Sequence, residues 1–413
     1  MILLLFTTSY PYDVATEQTF LSEEVKYLAA KFERVVLVPK FSNGNRLPVP
    51  NGVEVDTSFS ASYSFGNRLF ASFISLFSLY FYQDIREQWP KSVSISYLRR
   101  LLSFLAGAHL TKRWVQNWLN SQNVKDTSAM FYTYWFDEVA MGIGLAKDVC
   151  PGLRVISRAH GYDLYEELYA SWPCRRKAIS LLDGLFTDSD AGKEYLLGKY
   201  PAFSEKYGVA LLGVPGASEI SKPSIDGTLR IVSCSILNPV KRINLLFDGI
   251  ISAAKERSEL KVEWIHYGDG PDREEYLRRI ENEFPPNAKG YFPGYSTQAD
   301  LIQSYINNPV DIFVNVSETE GTPVSIMEAI SCGIPILATA VGGNVEIASE
   351  RNGFLLNPNP TVEEIAELLL EICDNPALMR QKRLGSRDIW QERYSAEKNF
   401  KSFAELLTAI RRK

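Results

Sequence analysis

The sequence predicts an α/β protein made of two Rossmann-like domains, with parallel sheets that face a central cleft. Apolar runs rich in β-branched residues alternate with helical patterns, stop at a Pro-, Gly- and Ser-rich segment from Gly213 to Gly227, and then start again. The length of 413 residues also suits two domains. We therefore expect a first domain at residues 1–213 and a second at residues 214–393.

In the first half, short apolar runs that end in small or polar residues predict the strands. They are MILLLFTTS, VVLVP, AMFYTYW from Ala129, RVISRAHG from Arg154 and GLFTDS from Gly184. Helical periodicity places one helix at Glu17–Phe32 and another from about Ala191. Strands that alternate with helices are typical of parallel sheets with crossover connections.

The second half repeats this alternation. Its predicted strands are TLRIVSCS, KVEWIHYG, GYFPGY, VDIFVNV and IPILAT. Helices are expected from about Asn244 and from about Asp272, in the gaps between these strands. A last helix, from about Ala396 to Arg412, has apolar residues at helical spacing.

Composition and charge restrict the kinds of partner. The net charge of −5 and the pI of about 5.5 disfavour a nucleic-acid partner. The five cysteines are scattered and form no C-x-x-C pair, which favours a reduced, cytoplasmic compartment. Three widely spaced histidines argue against a metal site. The first residues lack a basic stretch before their short apolar run, so we expect a core strand rather than a signal peptide.

One apolar stretch has two interpretations. Leu69–Tyr82 is rich in aromatic residues, but it is shorter than the roughly 18 apolar residues of a spanning helix. Lys112, Arg113 and the arginines at 99 and 100 follow further along the chain. Such a region can lie on the inner face of a membrane, as a peripheral contact. The alternative is that these helices pack against the first sheet.

The segment Ser317–Gly343 is the most informative for function. A buried strand, VDIFVNV, runs into the loop Glu320-Gly321-Thr322. A helix follows, with Thr322 as its cap, Pro323 as its first residue and Gly333 at its end. The loop therefore lies at the carboxyl end of a parallel strand and at a helix N-terminus. Ligands of open α/β sheets bind at such an edge, and free N–H groups there attract anions.

Two carboxylates frame this loop. Glu320 lies in it, and Glu328 lies in the helix that follows. Carboxylates accept hydrogen bonds from sugar hydroxyls, while the helix N-terminus suits a phosphate. A nucleotide-sugar therefore fits the pattern better than a nucleotide without a sugar.

The segment resembles the retaining glycosyltransferases of family 4, which have the GT-B fold and carry two Glu residues separated by seven others. This resemblance is strong after about residue 228 and looser before it. It implies that Glu320 and the loop residues Gly321, Thr322, Pro323 and Val324 contact the donor, with Glu320 and the loop amides on the sugar. It implies that Glu328 binds the ribose. It also implies that residues 394–413 cross back onto the first domain.

The resemblance extends to other strand ends. Lys241, a mobile point charge, would bind the diphosphate. Relatives place an Arg five residues before it, where this chain has Ile236, and Arg242 is a partial substitute. The remaining donor-site candidates are Gly268, Asp269 and Gly270 in a glycine-rich turn, and Tyr295 near the base. His160, in the first domain, would face the donor sugar.

Several first-domain residues are candidates for acceptor binding because they follow predicted strands. They are Ser9, Tyr10 and Glu17 after the first strand, Trp135 after another, and Asp163 close to His160. Trp135 can stack on a sugar ring, but it fits equally well as a core aromatic residue.

These observations and the resemblance predict a retaining glycosyltransferase that needs no metal or other cofactor. Its donor would be a nucleotide-sugar, and its acceptor a glycan or a lipid-linked saccharide of a bacterial surface polysaccharide. Glu320, Lys241 and His160 are the expected catalytic residues. Two alternatives stay open: another GT-B enzyme, such as a nucleotide-sugar epimerase or a phosphorylase, or an inactive subunit that binds nucleotide-sugars.

Overall fold

The computed structural model describes residues 1–14, 17–90, 94–167 and 172–410. Two compact units share these residues. The first contains Met1–Leu211 together with the described residues from Phe400 onward, and the second contains Leu212–Asn399.

The first unit is built on a seven-stranded parallel sheet in the order β3-β2-β1-β4-β5-β6-β7. Its strands are β1 (Ile2–Thr7), β2 (Arg34–Pro39), β3 (Val53–Val55), β4 (Ala129–Thr133), β5 (Arg154–Ala159), β6 (Gly184–Thr187) and β7 (Tyr207–Val209). Side chains of β1 alternate between two cores, with Leu4 and Phe6 on one face and Leu3 and Leu5 on the other. The sheet is therefore buried on both faces, as parallel sheets require.

Helices cover both faces of this sheet. They are α1 (Gln18–Lys31), α2 (Ser58–Ser62), α3 (Phe65–Ser75), α4 (Leu79–Glu87), α5 (Ile95–Ser121), α6 (Glu138–Ala146), α7 (Gly161–Leu164), α8 (Arg175–Leu181) and α9 (Asp190–Lys199). The long helix α5 packs against α3 and α6 and contributes Leu101, Leu105 and Trp118 to one core. The sequence indicated only an apolar, Arg-containing region there, without the length of this helix.

The second unit has a six-stranded parallel sheet in the order β10-β9-β8-β11-β12-β13. Its strands are β8 (Thr228–Cys234), β9 (Lys261–Tyr267), β10 (Ala288–Gly294), β11 (Ile312–Asn315), β12 (Ile336–Thr339) and β13 (Gly353–Leu356). Its helices are α10 (Ile243–Glu256), α11 (Arg273–Glu283), α12 (Gln298–Asn307), α13 (Val324–Ser331), α14 (Asn344–Ile347), α15 (Val362–Asp374) and α16 (Pro376–Ile389).

The last helix, α17 (Ala396–Ala409), begins in the second unit. From Phe400 onward it belongs to the first, where Phe403, Ala404 and Leu407 join the core beneath α1. The predicted end of this helix at Arg412 lies outside the described residues.

The structure confirms the predicted fold class, two parallel sheets with alternating helices. Helices expected from about Asn244 and Asp272 begin at Ile243 and Arg273. Among the described residues, no helix combines the length and the hydropathy that crossing a bilayer requires.

Candidate functional site

The Glu320 loop connects β11 to α13 in the second unit. Pro323 has an extended backbone (φ −79°, ψ 95°) and precedes the helix, which begins at Val324. The expectation that Pro323 is the first helical residue, with Thr322 as the cap, is therefore wrong by one position. Gly333 has the positive φ of +69° that suits the residue after a helix.

Glu320 is held by an ion pair and by two neutral donors from its own unit. Its Oε1 atom lies 2.6 Å from Lys241 Nζ. The same oxygen accepts hydrogen bonds from Asn315 Nδ2 at 3.0 Å and from Ser317 Oγ at 2.7 Å. The two side chains predicted to act on the sugar and on the diphosphate therefore meet, although they are 79 residues apart in the chain.

Lys241 owes this position to a turn after β8. Pro239–Lys241 form one turn of 3₁₀-helix, and the Asn238 side chain accepts a hydrogen bond from Lys241 N at 3.2 Å. The turn directs the lysine toward the β11 loop. An ammonium group has three donors, so Lys241 can contact Glu320 and still donate to a phosphate oxygen.

Glu328 lies in α13 and is almost completely buried. Its Oε1 atom accepts a hydrogen bond from Gln298 Nε2 at 2.7 Å. Burial raises the pKa of this carboxyl to about 7, and the bond from Gln298 opposes the shift only in part. A buried acid that titrates near neutral pH, next to a strand-end loop, is typical of a ligand site.

A second loop, which the sequence analysis did not single out, supports the Glu320 loop. Gly342 has a φ of +46°, and a Cβ added there would lie 1.8 Å from Glu320 O. A Cβ at Gly343 would lie 2.1 Å from Gly321 O, and Gly343 N donates to that same oxygen at 3.0 Å. The Gly-Gly pair after strand IPILAT was the signal, because only glycine permits so close an approach.

We expect Gly342→Ala to lower the free energy of unfolding by about 2 kcal/mol or more, because it adds a backbone clash to a strained φ. Chemical denaturation measures this change. Gly227→Ala is the control for strain alone, since Gly227 has a φ of +75° and open space around it. Gly321→Ala should leave stability unchanged, because its Cβ would meet nothing within 4 Å. Equal losses in Gly342→Ala and Gly227→Ala would contradict the close packing of the loops.

The glycine-rich turn after β9 packs on the loop that carries Ile236. A Cβ at Gly268 would lie 1.8 Å from Ser235 O, and one at Gly270 would lie 2.4 Å from Leu237 O. Leu237 N donates to Asp269 O at 3.0 Å. Tyr295, after β10, and Ile236 are both largely exposed.

Arg242 differs from its predicted role. Its Nε donates to Val316 O at 2.7 Å, and its Nη2 donates to Ser317 O and to Pro358 O, each at 2.8 Å. The guanidinium group therefore fixes the start of the Glu320 loop. Its Nη1 also donates to Asn359 Oδ1 at 3.2 Å, so four of its five N–H donors are bonded, and we do not retain Arg242 as a ligand of the diphosphate.

In the first unit, Glu17 organises the loop after β1. Its carboxylate accepts hydrogen bonds from Ser9 N at 2.6 Å, from Tyr10 N at 2.8 Å and from Trp135 Nε1 at 2.7 Å. Tyr10 is buried. Glu17 and Tyr10 are thus part of the loop's internal structure, whereas the buried Ser9 Oγ has no hydrogen-bond partner among the described residues.

His160 lies between two aromatic rings, 4.5 Å from the Tyr134 ring and 4.7 Å from the Trp135 ring. In the described part of the chain, neither ring nitrogen of His160 has a hydrogen-bond partner. Burial and nearby Arg158 lower its pKa well below the usual value, so the ring is neutral. An unpartnered buried imidazole can hydrogen-bond a ligand.

Asp163 has a local structural role beside this histidine. Its carboxylate accepts from His160 N and from Phe136 N, each at 2.5 Å. Burial raises its pKa to about 7. Within the described residues, no three His, Cys, Asp or Glu side chains form a cluster that could hold a metal ion.

Comparison with known proteins finds a family model that matches most of the second unit. Residues 228–375 match the family model of the group 1 glycosyl transferases. The chain is 32% identical over 105 residues to the sulfoquinovosyl transferase SQD2 of Arabidopsis thaliana, which covers 24% of this chain and 19% of that protein. It is 25% identical over 225 residues to the GtfA subunit of a UDP-N-acetylglucosamine–peptide N-acetylglucosaminyltransferase of Streptococcus gordonii. That alignment covers 53% of this chain and 42% of the GtfA subunit. The chain thus spans less than half the length of these relatives.

Solved structures match over nearly the whole chain. Anabaena HepE in complex with UDP and glucose has a TM-score of 0.63 at 15% identity, covering 99% of this chain and 100% of that one. The lipopolysaccharide outer core galactosyltransferase WaaB has a TM-score of 0.65 at 16% identity, with the same coverage. At such identities the match shows the fold. Residues 228–375 are therefore similar to the group 1 glycosyl transferases, and the chain has a fold of the GT-B glycosyltransferase type.

Proposed function

We propose that this protein is a retaining glycosyltransferase that moves a sugar from a nucleotide-sugar to a hydroxyl of a glycan or a lipid-linked saccharide. The observation that carries the proposal is the ion pair of Lys241 with Glu320, together with the buried carboxyl of Glu328 in the helix that follows the Glu320 loop. One cation and two carboxylates with different surroundings match the three parts of such a donor: diphosphate, sugar and ribose.

Donor binding would divide between the two glutamates. Glu328 accepts from Gln298 with one of its two oxygens, and its carboxylate can also accept from the two ribose hydroxyls. Glu320 would accept from the sugar and, through the same carboxylate, hold Lys241 close to the diphosphate. The open space around Gly321 lets a ligand approach the loop amides and the N-terminus of α13.

The proposed reaction is attack from the face that the diphosphate leaves. The bond between the anomeric carbon and the diphosphate oxygen breaks, and the acceptor oxygen forms its bond to the same face of that carbon. The acceptor proton passes to the departing phosphate, and the α-configuration is kept. Lys241 and the helix N-terminus would stabilise the negative charge that grows on the diphosphate. No step requires a metal ion.

The first unit would bind the acceptor. Ser9 Oγ, on the expected acceptor side, is a buried group that still lacks a hydrogen-bond partner in the described chain, as are the ring nitrogens of His160, which we expect to face the donor sugar. A saccharide hydroxyl can supply partners to both kinds of group. The acceptor we propose is a growing bacterial surface polysaccharide or its lipid-linked precursor, used on the cytoplasmic side of the inner membrane.

A nucleotide-sugar screen tests the proposal. We expect one of the UDP-, GDP- and ADP-sugars to raise the melting temperature and then to be slowly hydrolysed without acceptor. Activity should be equal in EDTA and in magnesium. Stabilisation without hydrolysis or transfer would favour the inactive subunit, for which the exposed Ile236 in place of an Arg is the supporting observation. A product of inverted configuration, seen by NMR, would contradict the retaining mechanism.

A further inference from the structure

Helix α3 exposes its large apolar side chains instead of burying them. Phe65, Leu69, Phe70 and Phe73 are between 61 and 83% exposed. They lie at positions i, i+4, i+5 and i+8, which places all four on one side of the helix. The buried residues of α3 are the small ones, Ala71 and Ser75. This is the reverse of the usual amphipathic helix.

The apolar surface continues beyond α3. Phe77, Leu79 and Tyr82 are also mostly exposed, and they lie in the turn before α4 and in α4 itself. We call Phe65, Leu69, Phe70, Phe73, Phe77, Leu79 and Tyr82 the α3–α4 surface. Exposed aromatic and leucine side chains at this density mark a docking surface rather than an ordinary exterior.

The charge of the surrounding region indicates the partner. Residues 57–119 contain seven Lys or Arg and two Asp or Glu, in a chain whose net charge is −5. Arg86, Arg99 and Arg100 are exposed on α4 and on the first turns of α5. Arg113 lines, with Phe70 and Ile74, a groove of about 340 Å³ between α3 and α5. Arg113 therefore borders the apolar side chains of α3, and Arg86 lies on the same short helix as Leu79 and Tyr82.

We propose that the α3–α4 surface inserts into an anionic lipid bilayer. Aromatic and leucine side chains enter the boundary between headgroups and acyl chains, while the arginines contact lipid phosphates. A protein partner would match the apolar side chains, but a polybasic border in an acidic chain favours an anionic membrane. This deepens the proposed function, since a lipid-linked acceptor would be met there, but binding to vesicles requires no donor and no catalysis.

Sedimentation with vesicles tests the proposal. We expect the parent to bind vesicles of phosphatidylglycerol and phosphatidylcholine, and to bind pure phosphatidylcholine or high-salt samples much less. The variant Leu69→Ser/Phe70→Ser/Phe73→Ser should bind more than about tenfold more weakly, because three insertions are lost. Arg99→Ala/Arg100→Ala should lose affinity for the anionic vesicles only. The control is Ile225→Ser/Leu384→Ser, which removes exposed apolar side chains of the second unit.

Three results would overturn the proposal. One is a parent that does not bind anionic vesicles, and a second is a triple Ser variant that binds them as the parent does. The third is a parent that self-associates in light scattering, together with a triple Ser variant that stays monomeric and still binds vesicles. That result would mean that the α3–α4 surface binds a second copy of the chain. Equal melting temperatures of parent and variants show that folding is not the cause.

Discussion

Replacement of Lys241 by alanine is expected to lower the turnover of the proposed transferase by a factor on the order of 100 or more, comparable to the loss of one preorganised donor. The ammonium lies 2.6 Å from Glu320 Oε1 at the loop where the diphosphate would bind. Ile236, where the resemblance to family 4 implies an arginine, supplies no charge, and the guanidinium of Arg242 donates to backbone carbonyls. Lys241 is therefore the chief cation left for the leaving group.

The loss should fall on turnover more than on binding, because the phosphate charge grows only as the sugar departs. Steady-state kinetics with a saturating donor separates the two quantities. Lys289→Ala is a matched control, since Lys289 is an exposed lysine of the same unit on β10. Near-parental turnover of Lys241→Ala would mean that another residue carries the charge.

The ion pair adds a second test. Lys241→Ala also leaves Glu320 without its cationic partner, so Glu320→Gln and the double variant should be measured together. We expect the double variant to lose much less than the product of the two single losses, because the side chains act as one unit. Ile236→Arg in the Lys241→Ala background should restore part of the turnover, since the exposed position has room for a larger side chain.

The sequence predicted the parts of the fold that depend on local pattern. Alternation of apolar strands and helices predicted two parallel sheets, but not their edge strands Val53–Val55, Tyr207–Val209 and Gly353–Leu356. The segment Ser317–Gly343 indicated the strand-end loop of Glu320. The contacts of that loop could not be predicted, because Lys241 and Gly342 reach it from other strands. Their positions depend on the strand order β8-β11-β12, which no local pattern encodes.

The same limit explains Arg242 and α3. Arg242, a basic residue next to Lys241, suggested a second phosphate ligand. Instead, it has a left-handed φ of 49° at the N-cap of α10, and its side chain bonds to the β11 loop. The apolar residues of α3 fitted a packed helix as well as a surface helix. Only the three-dimensional packing of Ala71 and Ser75 distinguishes the two.

Glu328 should make nucleotide-sugar affinity depend on pH. Burial raises the pKa of its carboxyl to about 7 in the empty site, and ribose hydroxyls would favour the ionised form. Binding then requires loss of a proton below pH 7. Affinity should therefore be about tenfold weaker at pH 6 than at pH 8, because each unit below the pKa protonates the carboxyl tenfold further. Calorimetry with an intact nucleotide-sugar avoids the titration of a terminal phosphate.

The Glu328→Gln variant should bind the nucleotide-sugar more weakly than the parent at pH 8, and its affinity should lose most of its pH dependence. The variant should also be more stable than the parent. A carboxyl whose pKa is raised by folding stabilises the fold below its unfolded pKa and loses that contribution as pH rises to about 7. The amide of Glu328→Gln does not ionise and has no such loss. The free energy of unfolding of the variant should therefore exceed that of the parent by up to about 3 kcal/mol above pH 7, and the difference should vanish near pH 4. Denaturation at several pH values measures it, with the exposed Glu281→Gln as control. A Glu328→Gln variant that keeps the parental affinity and pH profile would remove this carboxyl from ribose recognition.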